Sequence, residues 1–236
     1  MKLAFAFVAT LLVFGSVAMA SPTTCANTTL DVYITGGYSC VSGNLLFSNF
    51  AYTDTANPAG VAIPATGISV KAETVTGDEG FQFSSGWYVG SQSGHVASFQ
   101  DSLITFTVST VNHAATLDDL ELSFNGDFTG TGLSRVNESY CPGGAVGAGC
   151  PGGTQVRQVT NPPTMLDDSV VFAHPVSTLG VSKDISVNSG TYGTAGISQV
   201  FNTFSNTSSV PEPATCMMLG GSLFGLGLLR RKARKS

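Results

Sequence analysis

Apolar and polar residues alternate with period two along most of this chain, which restricts it to half-buried strands. Residues 103–109 read LITFTVS and put Ile104, Phe106 and Val108 on one face. Residues 120–125 repeat the pattern with Leu120, Leu122 and Phe124. In 181–187, Lys183 shares the face of Val181, Ile185 and Val187. Further strands are predicted over 44–53, 68–75, 80–83, 87–89, 155–159, 170–172 and 196–204. Clusters of Gly, Ser, Asn, Pro and Asp separate them and signal turns. Between residues 21 and 210 no segment sustains a capped stripe of period 3.6. The expected fold is therefore all-β: an antiparallel two-layer β-sandwich of jelly-roll or immunoglobulin-like type. The long-range disulfide of true immunoglobulin domains is not evident, since Cys25 and Cys40 lie close in sequence. Irregular chain is expected at 56–66, 141–153 (CPGGAVGAGCPGG) and 161–164. No internal repeat is visible.

The two ends differ from this middle. Lys2, an apolar run over 3–14 and the small residues Ala18 and Ala20 form a secretory signal, with cleavage expected before Ser21. Ser and Thr crowd 202–209, which reads as a linker. Then come Val210, Pro211, Glu212 and Pro213, an apolar run over 215–229, and the basic residues Arg230, Arg231, Lys232, Arg234 and Lys235. Fifteen residues of helix reach about 22 Å, against about 30 Å of hydrocarbon. Gly220, Gly221, Gly225 and Gly227 weaken that helix further. The basic end should stay cytoplasmic, which leaves the large N-terminal part outside. The predicted organisation is 1–20 signal helix, 21–201 sandwich, 202–209 linker and 210–236 tail, with a single transmembrane helix at 215–229 and the basic tail at 230–236.

The order Pro-Glu-Pro, short apolar span, basic end resembles the PEP-CTERM sorting signal, an element also labelled an ice-binding-protein C-terminal domain. The resemblance covers residues 210–236. It implies that a membrane-embedded cysteine peptidase, exosortase, cuts at the motif and passes the rest of the chain outward. It also implies transient residence in the inner membrane, then a cell-surface or extracellular-matrix location among exopolysaccharide and other surface glycans. Tyr33, Cys40, 47–50 (FSNF), Asp101, Glu138, Cys141, Lys183, Asp184 and Phe201 resemble, more loosely, a recurring ectodomain type of this family. Ice binding is not expected, because no periodic Thr-x-Thr array builds a flat face.

The part between the termini, 21–210, carries four basic residues against fourteen acidic ones, a formal net charge of −10. This argues against nucleic acid, which needs a basic stripe. Its four cysteines, Cys25, Cys40, Cys141 and Cys150, suit an oxidising compartment. Proximity favours the pairs Cys25–Cys40 and Cys141–Cys150, and no histidine stands near them to suggest zinc.

Chemistry is thinly signalled. Gly147, Gly149 and Gly152 match a dinucleotide-binding spacing, but no strand–helix–strand unit surrounds them and Pro151 interrupts. His95, His113 and His174 are the histidines, and none lies in a known catalytic motif. A hydrolase built on Ser93, His95 and Asp101, or around His174, is an alternative. The pairs Asp78-Glu79, Asp118-Asp119 and Asp167-Asp168 read as solvated turns, with Ca²⁺ as the alternative occupant. Trp87 and Tyr88 are the candidate glycan contacts of a carbohydrate-binding module, although a lone Trp in a sandwich is commonly core. The expectation is a non-catalytic surface protein without a cofactor.

Overall fold

The computed structural model describes residues 23–57, 60–91, 96–111, 115–146 and 149–208. Its strands are β1 (Thr28–Thr29), β2 (Ser39–Ser42), β3 (Leu45–Ala56), β4 (Ser69–Val75) and β5 (Asp78–Ser91). They continue as β6 (Phe99–Thr110), β7 (Ala115–Gly130), β8 (Leu133–Pro142) and β9 (Gln155–Asn161). The last are β10 (Asp167–Val176), β11 (Thr178–Asn188), β12 (Gly193–Phe204) and β13 (Asn206–Ser208). One short helix, α1 (Leu30–Tyr33), follows β1. Two antiparallel sheets face each other. One is ordered β1-β4-β5-β12-β7-β10 with β13 on β7, and the other β2-β3-β6-β11-β8-β9. The all-β, two-layer sandwich expected from alternation is present. Among the described residues no helix is long and apolar enough to cross a membrane. The expected signal helix, its cleavage site, the sorting motif, the transmembrane helix and the basic tail lie outside the described residues.

The core is the space between the sheets. Ile104, Phe106 and Val108 of β6 line one wall, and Leu120, Leu122 and Phe124 of β7 line the other, all buried. They face one another across the sandwich. An aromatic cluster fills the middle: Phe47 and Phe81 have centroids 4.5 Å apart, and Phe50 stacks on Phe106 at 5.5 Å. Tyr33 of α1 closes one end of it, 5.0 Å from Phe50, and donates its hydroxyl to the Ala26 carbonyl at 2.6 Å.

Both proximity-based disulfides form. Cys25–Cys40 ties the N-terminal segment to β2, and Cys141–Cys150 closes the glycine-rich loop. In the chain-entropy model each contributes about 3 kcal/mol. The closed loop folds onto β11 at Gly180, where a Cβ would come within 2.6 Å of the Gly144 carbonyl oxygen. Only glycine permits that approach.

Three readings of the sequence need correction. The predicted strands 80–83 and 87–89 are one bulged strand, β5. No strand was expected at 133–142, where β8 lies. Its inward positions Ser134, Val136, Glu138 and Tyr140 mix polar with apolar residues, which hides the alternation. Of the linker expected at 202–209, the described residues 202–208 instead continue the sandwich past residue 201. Asn202, Thr203 and Phe204 finish β12, with Phe204 fully buried, and β13 pairs with β7. Asp118 and Asp119 hold this segment in place. Asp118 accepts the Thr207 hydroxyl, and Asp119 accepts the Ser205 N–H at 2.8 Å. Thr and Ser that suggest a linker by composition fit an edge strand equally well.

Candidate functional site

Alternation along β5 decides which aromatic residue meets solvent: Phe81, Phe83, Trp87 and Val89 share one parity and face the core. Trp87 pairs with Ile197 and Ser84 with Gln199, so Ser85 and Gly86 stand opposite Ser198 alone. Trp87 turns inward, is 1% exposed, and donates its indole N–H to the Ser102 hydroxyl at 3.0 Å. It is a core residue, which removes it as a glycan contact. Tyr88, its neighbour, points outward and is 62% exposed. Its backbone N–H donates to the side-chain oxygen of buried Gln100 at 3.1 Å, which fixes the base of the ring.

Tyr88 forms one wall of a shallow cleft of about 360 Å³ on the outer face of the seven-stranded sheet. Asn125, Asp127, Ser85 and Ser198 supply its polar groups. Gly196 is the floor. A Cβ there would lie 2.7 Å from the Asp127 carboxylate and 3.4 Å from the Tyr88 ring. The glycine therefore keeps an aromatic face, a carboxylate, an amide and two hydroxyls open around one small volume. The residues around Tyr88 were not legible in sequence, because only the bulge and the β7–β12 register bring them together.

Farther along the same face lies a cleft of about 410 Å³, bordered by Glu121, Asp167, Ser123, Phe201 and Thr203. Burial first, then Asp119, Asp78 and Asp167, raises the Glu121 carboxyl above its ordinary range. Burial, Asp119 and Glu79 do the same for Asp78. This end of the sheet repels anions. Among the described residues no group of three or more His, Cys, Asp or Glu side chains is placed to hold a metal ion. The three acid pairs also have protein partners. Glu79 accepts the Ser42 and Thr74 hydroxyls, Asp168 accepts the Gln158 N–H at 3.0 Å, and Asp118 and Asp119 anchor the end of the fold.

On the outer face of the other sheet, register aligns Asp101 of β6, Ser186 of β11 and Arg135 of β8. Burial, followed by the charge and hydrogen bond of Asp184, raises the Asp101 carboxyl to about 7, and Arg135 opposes the rise. Its unfolded value is about 4. A carboxyl raised on folding contributes stability below the unfolded value and loses it as the pH climbs through the folded one. The denaturation midpoint should therefore drop between about pH 4 and about pH 7, and Asp101→Asn should flatten that drop. Chemical unfolding at several pH values checks this. An unchanged slope in Asp101→Asn would assign the titration to another group.

Between the sheets, Lys183 of β11 and Glu138 of β8 form a salt bridge with both side chains fully buried. Asn202 of β12, 1% exposed, donates its amide to the other oxygen of Glu138 at 3.1 Å and to the Glu121 carbonyl at 3.0 Å. Burial pushes the Glu138 carboxyl up and the Lys183 amine down, while each partner opposes the shift of the other. The odd Lys on an apolar face was visible in sequence. Its partners, on a strand without clean alternation and in an apparent linker, were not.

The hydrolase alternative finds no catalytic grouping around His174. That residue is exposed on β10, beside a cleft of about 320 Å³ bordered by Pro142, Gln155, Val170, Phe172 and Val176, with neither Ser nor carboxylate. Ser93, His95 and His113 lie outside the described residues, as does Gly147 of the glycine motif.

With this geometry in hand, the comparisons bear on the tail. Residues 209–232 match the PEP-CTERM protein-sorting motif. The chain carries a PEP-CTERM sorting signal. The PEP-CTERM match begins one residue before the Val210 expected from the sequence. A PEP-CTERM signal implies an exported protein whose precursor passes the membrane and is sorted by exosortase. No curated protein matches the chain. Among solved structures, a chain of the glycosylation associate protein (Gap123) complex from Streptococcus agalactiae is similar at 12% identity with a TM-score of 0.29. The match covers 64% of this chain and 25% of that one, so this chain spans about a quarter of the other's length.

Proposed function

We propose that this chain is a non-catalytic cell-surface or extracellular-matrix protein that contacts exopolysaccharide through the Tyr88 cleft. The observation that carries this reading is the exposed Tyr88 ring beside Asn125 and Asp127 over a glycine floor. A sugar ring has an apolar face and a polar edge. Tyr88 offers the matching face, and Asn125, Asp127, Ser85 and Ser198 offer donors and acceptors to hydroxyls. The acidic balance favours neutral over anionic glycans. A glycan array probed with the purified protein tests the reading. Tyr88→Ala should weaken the binding by about tenfold or more, about 1.4 kcal/mol. Binding that is unchanged in Tyr88→Ala, or absent from every neutral glycan, would remove the cleft from the account.

The processing route is part of the same proposal. Cleavage after Ala20 leaves Ser21 as the N-terminus, and exosortase acts near Val210, Pro211, Glu212 and Pro213. The basic residues from Arg230 to Lys235 leave with the apolar run. Intact mass of material collected from the cell surface should correspond to a chain from Ser21 to a C-terminus near 210–215. A surface form that keeps the basic cluster would overturn the route.

A further inference from the structure

We propose that Lys183 and Asn202 condense into an intramolecular isopeptide bond, with Glu138 as the proton shuttle. The three side chains come from three strands of both sheets and meet in the core. Their exposures are 0%, 1% and 0% in that order. Glu138 holds the two reactants side by side: one carboxyl oxygen takes the Lys183 amine and the other takes the Asn202 amide nitrogen. Register surrounds them with apolar side chains. Ile104 lies opposite Lys183, while Phe81 and Leu122 flank Asn202. Asn202 Oδ1 has no hydrogen-bond partner, although buried carbonyl groups are ordinarily satisfied.

The step balances without a co-reactant. The Lys183 Nζ lone pair attacks Asn202 Cγ, a C–N bond forms, and the Cγ–Nδ2 bond breaks. The Glu138 oxygen beside Nζ accepts the proton that the amine loses. The oxygen beside Nδ2 delivers a proton to the departing nitrogen, which leaves as ammonia. Glu138 ends as it began. The reaction needs a neutral amine and a protonated carboxyl, and burial drives both groups toward those forms. Fixed neighbours react with effective molarities of about 10⁵–10⁸ M. The product is a neutral amide whose carbonyl, the present Asn202 Oδ1, can accept the Glu138 O–H. It replaces a buried ion pair, whose desolvation offsets much of its attraction, with a covalent tie between β11 of one sheet and β12 of the other. The inference does not depend on the glycan reading.

Mass spectrometry of the full chain, exported, purified, reduced and alkylated, tests it. The intact mass should be one ammonia below that of the sequence with the same termini. A digest should yield a branched peptide joining the Lys183 and Asn202 segments. A full-mass protein with linear peptides would overturn the proposal. So would an ammonia loss traced to a cyclised Asn elsewhere, or a branch from Lys183 to Glu138 with loss of water. Glu138→Gln should keep the ammonia, and Asn202→Asp should lose water in its place. An ammonia loss that persists in Glu138→Gln would end the role given to Glu138. Should these variants fail to accumulate, peptide mapping of the unsubstituted chain decides the matter by itself.

Discussion

Phe106→Ala will lower the free energy of unfolding by about 3–5 kcal/mol. Phe106 is 2% exposed and lies at the centre of the aromatic cluster. Its ring centroid lies 5.5 Å from that of Phe50 and 6.3 Å from those of Phe47, Phe81 and Phe83. Truncation loses the transfer energy of the ring and leaves a cavity that stiff, β-sheet-mounted neighbours cannot close. Thr105 and Thr107 flank it on the same strand but point to the outer face, where they are half-exposed. Their replacement by Ala should cost less than about 1 kcal/mol. Denaturant titration followed by circular dichroism, with Trp87 fluorescence as a second probe, measures all three. Equal losses at 106 and 107 would refute the register of β6.

The second large effect is expected at Glu138. Glu138→Ala removes the acceptor of two buried donors at once, the Lys183 amine and the Asn202 amide. Taking one partner from a buried pair costs about 3–5 kcal/mol. The double change Glu138→Leu with Lys183→Met should be more stable than Glu138→Ala, because it leaves no buried amine without its partner. Asn202 then still donates to the Glu121 carbonyl. The same unfolding titration reads both variants. A Glu138→Ala chain as stable as the unsubstituted one would mean that the carboxyl is not buried in solution.

Much of the sandwich could be read from local pattern. At 104–108 in β6 and at 120–124 in β7 every second residue is apolar, and both stretches lie in strands that extend beyond them at each end. The disulfides were legible for a related reason: short loops leave few closures to choose from. The sorting motif was legible because its chemistry is linear, with a rigid acidic step, an apolar run and a basic end in one order. Reading failed at β8, where Ser134 and Glu138 face the core. Glu138 interrupts β8 and Lys183 interrupts β11, and each is tolerated only because the other stands across the ladder. Asn202 falls both in the strand predicted over 196–204 and in the linker predicted over 202–209, because its neighbours Thr203, Ser205 and Thr207 are polar, and its side chain completes that buried network.

The sequence by itself thus determined fold class, cysteine pairing and sorting signal, all of which depend on neighbours close in the chain. Only the tertiary structure decided which aromatic is a surface and which is core. Trp87 and Tyr88 are adjacent, so the pleat sends them to opposite sides of the sheet, and the packing of the second sheet decides that the side of Trp87 is core. The structure alone also joined Lys183, Glu138 and Asn202. Their meeting depends on the packing of one sheet on the other, and the burial that gives them unusual chemistry exists only once the sheets close.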